Sequence, residues 1–263
     1  MTNEKITNDR FRRIREYFSP KEWGIIVLLS VLTVIIGTVL PRYLVADGKG
    51  IMPAFVHGIL KFPSPSAGFI VFGGLLCFWF ILGLLLIRKP WTAIVMSILV
   101  MAIDFLIGQQ PVPITPTNLH SLDAIMLVAI IIEILTLFSW EKSPLKYVMP
   151  VILAGFGAII LFVYFTVSGQ DRIGYVLIAI LAFGYAVVCY QHPLKFLAAG
   201  TIASMCYLGH FWIFFSASVK TLNWSPTMDI TLVHLCIVAV GGALFATVAY
   251  GVEKLLKSYT GHN

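Results

Sequence analysis

Two carboxylates stand inside otherwise apolar stretches of this chain, Asp104 in VMAIDFLIG and Glu133 in AIIIEILTLF. An ionisable group in such surroundings must meet an opposite charge, face a wet cavity or take up a proton, because apolar surroundings penalise the charged form. A buried carboxylate of this kind can hold a cationic ligand, relay protons or bond a neighbouring helix. Asp104 falls near the end of its stretch, whereas Glu133 lies roughly 18 Å along its own at the helical rise. Trp79 can stack on a flat ligand or face a cation. His57 and Asp123 fall on the same predicted side of the chain as Asp104. A second chemistry is offered by Cys206 and His210, which are four residues apart and share a helical face, and by His234. These residues are candidates for a transition metal, and His210 with His234 for axial ligation of a haem. No H-E-x-x-H or C-x-x-C spacing supports that reading, and histidines satisfied by their neighbours or by water are the simpler one. G-x-S-x-G, P-loop and Ser-Lys patterns are absent, so nothing here marks an enzyme. Any active transport would draw on an ion gradient or a separate ATPase.

The elements that must position these groups are membrane spans. The chain is 59% hydrophobic and 11% charged, a balance that excludes a soluble domain of this size. Apolar stretches long enough to cross a bilayer lie at 24–44, 67–87, 91–108, 121–139, 147–168, 173–190, 196–219 and 230–252. The expected fold is therefore an all-α polytopic transmembrane bundle of about eight spans. Residues 1–23 form a basic interfacial segment on anionic lipid, 24–252 the bundle, and 253–263 a tail. With the N-terminus inside, thirteen of the eighteen lysines and arginines fall on the cytoplasmic side, among them Arg88, Lys89, Lys195, Lys254 and Lys257. That asymmetry places both termini in the cytoplasm and the protein in the cell membrane. It also accounts for the net charge of +6 without a nucleic-acid partner. Ala239, Ala243, Thr247 and Gly251 recur every four residues and predict a close helix–helix approach. The longer loops fall outside, which places any capture surface there.

Three segments carry a family resemblance. FSPKEWGIIVLLSVLTVII resembles the start of the first helix in substrate-capture (S) subunits of energy-coupling-factor transporters. GGLLCFWFILGLLLIRKPWTAIV, residues 73–95, is similar to the Gly-rich helix and RKPG turn of the thiamine-precursor type. SLDAIMLVAIIIEILTLF, residues 121–138, is similar to a helix with an embedded Glu, at which Glu133 falls. The likeness covers residues 18–140. The family has six spans where this chain has eight, RKPW stands for RKPG, and Ser30 and Thr33 replace alanines. The resemblance implies a subunit that binds a vitamin-sized organic molecule from outside. A separate coupling membrane subunit and ATPases would then drive its release inside. On that reading Glu133 and Asp104 pair with a cationic thiazolium or aminopyrimidine, Trp79 stacks on it, and the loop around His57 closes over it, with no cofactor required.

Two other classes stand beside it. One is a membrane redox, haem or metal protein using His210, His234 and Cys206. The other is a non-catalytic helical subunit of a larger membrane complex, which the small-residue stripe at 239–251 fits.

Overall fold

The structure is a computed structural model that describes residues 17–36, 45–46, 49–50, 66–107, 116–137, 145–166, 172–188, 194–215 and 228–260. Among them are eight helices: α1 Pro20–Val34, α2 Ser66–Ile87, α3 Thr92–Leu106, α4 Pro116–Leu137, α5 Leu145–Thr166, α6 Arg172–Val188, α7 Leu194–Phe215 and α8 Met228–Thr260. A two-residue antiparallel pair, Val45–Ala46 with Lys49–Gly50, lies between α1 and α2. The all-α expectation holds, and each of the eight apolar stretches coincides with a helix. Their ends differ in informative ways. α1 begins at Pro20 because Ser19 and Glu22 form a reciprocal capping box, with the Ser19 N–H donating to the Glu22 carboxylate at 2.6 Å. α8 continues eight residues past the apolar stretch to Thr260, so most of the expected tail is helix. Hydropathy marks where a helix is apolar, not where it stops, and the Glu253–Lys257 ion pair at i,i+4 supports the extension.

α2 is apolar around its whole circumference and occupies the centre, in contact with α1, α3, α4, α7 and α8. Its glycines set how closely those neighbours approach. A Cβ at Gly74 would run into the Phe245 ring of α8, and one at Gly83 into the Met96 sulfur of α3. α7 and α8 meet backbone to backbone at Gly200 and Gly242, where a Cβ on Gly200 would lie 2.5 Å from the Gly242 carbonyl oxygen. The Cys77 thiol lies 3.3 Å from the Ser204 hydroxyl and 3.8 Å from the Gly200 carbonyl oxygen, tying α2 to that crossing. The small-residue stripe on α8 is therefore half right. Ala239 and Ala243 are buried, but the closest approach is at Gly242, and a Cβ at Gly251 would meet nothing within 4 Å. α5 and α6 pair with each other and join the rest of the bundle mainly through α8.

The interior is mainly apolar, yet large apolar side chains are also exposed along the helices and a few hydroxyl groups are buried. Leu106 is 81% exposed, Val151 and Phe162 each 70%, and Ile180 60%, while Ser30, Thr92, Ser97, Thr201 and Ser204 are buried. Hydroxyl groups inside the helices bond back onto their own backbone, as Thr33 does to the Leu29 carbonyl (2.7 Å) and Thr201 to that of Leu197 (2.8 Å). Apolar surroundings require that satisfaction. Among the described residues one helix, Val233–Tyr259, is long and apolar enough by itself to cross a membrane. Gly73–Ile87, Thr92–Leu106 and Pro150–Phe162 are shorter apolar segments.

The glycine contacts generate a paired expectation. Gly242→Ala forces the α7–α8 backbones apart and costs about 1–3 kcal/mol by overpacking. Gly155→Ala, at a helical position with open space around its would-be Cβ, gains about 0.5–1 kcal/mol from helix propensity. Thermal unfolding of both variants in mild detergent checks the opposite signs.

Candidate functional site

The turn that joins α2 to α3, Arg88–Trp91, has unusual backbone geometry. Arg88 (φ 59°) and Trp91 (φ 68°) both occupy the left-handed region, which costs a residue bearing a Cβ about 1–2 kcal/mol. Arg88 closes α2 by donating its N–H to the Leu84 carbonyl at 2.8 Å. Trp91 is the N-cap of α3, and an indole has no oxygen with which to accept the first amides of the helix. Glu133 of α4 supplies that oxygen. Its carboxylate accepts the Ala93 N–H at 2.6 Å. The embedded Glu is thus a helix cap delivered from a neighbouring helix, at the positive end of the α3 dipole. One of its oxygens is thereby committed to backbone.

Around this junction one end of the bundle gathers charge. The ends of α2, α4 and α8 and the starts of α1, α3 and α7 all lie there. A cavity of about 640 Å³ lies there, lined by α2 and the turn after it, α4, α7 and α8. Five basic side chains line it: Arg88, Lys89, Lys195, Lys254 and Lys257; the carboxylates are Glu133 and Glu253. Buried Glu253 sits between Arg88, at 3.5 Å, and Lys257. Lys89 is held by Glu22 at 2.7 Å and by the Tyr17 carbonyl oxygen at 2.9 Å, with the rings of Tyr17 and Phe18 beside it. Lys195 and Lys254 have no carboxylate partner among the described residues. Each lies over a ring that also lines the cavity, Lys195 over Phe196 at 5.1 Å and Lys254 over Tyr250 at 4.7 Å. Leu84, Leu85 and Leu137 complete an apolar wall. The cavity is therefore electropositive with a greasy side, an environment that selects anions.

Glu133 lines the cavity, and the other sequence candidates fall elsewhere. Asp104 lies eleven residues beyond Ala93 on α3, so about 17 Å separates it from the Glu133 cap. The two acids expected to share one cationic ligand thus stand at opposite ends of α3. Asp123 is exposed on the first half of α4, and buried Trp79 packs on Phe78 edge to face at 4.7 Å. His57 lies outside the described residues. His210, His234 and Cys206 lie toward the far end from the cavity, and no three metal-binding side chains converge among the described residues. Conversely, the sequence reading counts Arg88, Lys195, Lys254 and Lys257 only toward orientation. The signal that could have marked them is their shared side: basic turns at one end of a bundle must come together once its helices pack.

Two expectations follow. Glu133→Gln keeps an acceptor for the Ala93 N–H, whereas Glu133→Ala leaves that buried donor unmet at about 1–3 kcal/mol, so unfolding midpoints should rank wild type and Gln well above Ala. Glu22 precedes the apolar span, and the Lys89 ammonium, followed by the Ser19 N–H, holds its carboxyl below the usual carboxylate range. A lowered value stabilises the fold above the ordinary glutamate pKa, and that share is lost as pH falls through the lowered one. Glu22→Gln should therefore melt below wild type at neutral pH and match it in acid.

No family model matches the chain, and neither a curated protein nor a solved structure matches it, so what the site can do follows from its own residues.

Proposed function

We propose that this chain is a polytopic membrane protein, with its basic end on the cytoplasmic side, that binds an anionic small molecule in the cavity between α2, α4, α7 and α8. The carrying observation is the cavity itself, with Lys195 and Lys254 facing a space of about 640 Å³ whose other wall is apolar. A volume in that range suits a drug-sized molecule. The exposure of large apolar side chains such as Leu106, Val151 and Phe162 supports the membrane setting. The positive-inside asymmetry supports the orientation. The start of α1 and the end of α8 lie at the same end of the bundle, through Lys89–Glu22 and Arg88–Glu253, in keeping with an even number of spans. Binding rather than chemistry is the role these groups suit, since lysines over aromatic rings attract charge but bring no nucleophile–base pair with them.

A second reading is the uptake subunit that the family resemblance implies, working with a coupling membrane subunit and ATPases. The observation in its favour is the Trp79 indole N–H, which is buried without an acceptor among the described residues. A buried tryptophan N–H ordinarily finds a partner, and a captured ligand would be one.

Native mass spectrometry of the full chain, released from its own host membranes, separates the two. The anion reading expects an acidic adduct that disappears from the Lys195→Glu/Lys254→Glu variant. A cationic, vitamin-sized adduct that survives in that variant and is lost from Trp79→Phe would overturn it in favour of uptake.

A further inference from the structure

Resting on that reading, we infer that the ligand is an amphiphilic phosphate ester, with its phosphate between Lys195 and Lys254 and its hydrocarbon along Leu84, Leu85 and Leu137. Charge matching selects the head. Glu253 already engages Arg88 and Lys257, and Glu22 engages Lys89, which leaves two ammonium groups without a carboxylate partner among the described residues. A phosphate monoester carries close to two negative charges at neutral pH and satisfies both lysines, whereas a carboxylate satisfies one. Lys195 also stands in the first turn of α7, where the helix dipole adds positive potential.

The shape of the cavity selects the tail. It is far larger than a phosphate ion, and one side is built of leucines. Leu137, the last residue of α4, lines the cavity and is 68% exposed. A leucine so exposed stands where the cavity opens, which gives a hydrocarbon chain a way out of it. The depth is also suitable. Basic pockets between helices at the cytoplasmic boundary are where anionic headgroups sit, each basic group near the surface contributing about 1 kcal/mol. A free phosphate ester shares the head chemistry and lacks the tail, so the two sources can be told apart.

The test places the full chain in nanodiscs of phosphatidylcholine doped with phosphatidic acid and reads retained lipid by native mass spectrometry. Glycerol phosphate and inorganic phosphate serve as soluble competitors. The expected result is enrichment of phosphatidic acid by about tenfold or more. It should be lost in the Lys195→Gln/Lys254→Gln variant and resist both competitors. Both lysines lie away from the buried core, and an unchanged melting curve for the variant shows that it still folds. Enrichment that persists in the variant would overturn the site. Displacement by glycerol phosphate at matching concentration would overturn the amphiphile and leave anion binding standing. Retention of no anion of any kind by the wild type would remove both.

Discussion

The bond from the Ala93 N–H to the Glu133 carboxylate is the contact on which the basic end depends. α2 must turn sharply into α3, and the residues available for that turn are Arg88, Lys89, Pro90 and Trp91. Trp91 cannot cap the helix it begins, and amides left bare in apolar packing are costly. Glu133 meets that of Ala93 from α4 and in doing so sets the position of α4 against the start of α3. Every other cavity wall is placed relative to that corner. The cavity is nevertheless basic, because five cationic side chains line it against the two carboxylates of Glu133 and Glu253.

A second constraint divides the molecule lengthwise. The body of the bundle excludes charge and packs through glycines, with Gly200 and Gly242 bringing α7 and α8 into backbone contact and Gly74 receiving Phe245. Such close packing needs small residues and leaves no room for long polar side chains. Toward the end where α8 extends past its apolar portion, the requirement relaxes. The helices there carry Lys195, Glu253, Lys254 and Lys257 on the faces they turn to one another.

Much of the architecture is legible in the chain because it follows from local rules. Apolar runs of bilayer length locate all eight helices, and the basic residues locate the end at which they collect. The repeat of small residues on α8 signals a close crossing but misses its centre by a residue or more. Which small residue touches a neighbour depends on the crossing angle, and that is set by both helices together. Ser19 and Glu22 form a local capping box, so the start of α1 is written within four residues. The cap on α3 is not local: Ala93 and Glu133 are forty positions apart, and only the packing of α3 on α4 makes them partners.

By itself, then, the sequence determined the helical class, the number and approximate extent of the helices, and the separation of a basic end from an apolar body. Hydropathy and propensity act over one or two turns, and those features need nothing longer. Tertiary structure alone decided what the charged residues do. It turned Glu133 from a candidate ligand group into a helix cap and set Asp104 at the other end of α3. It also drew Lys195 of α7 and Lys254 of α8 to one cavity. Electrostatic roles depend on distances of a few ångströms between residues far apart in the chain, and no spacing along a single helix encodes them.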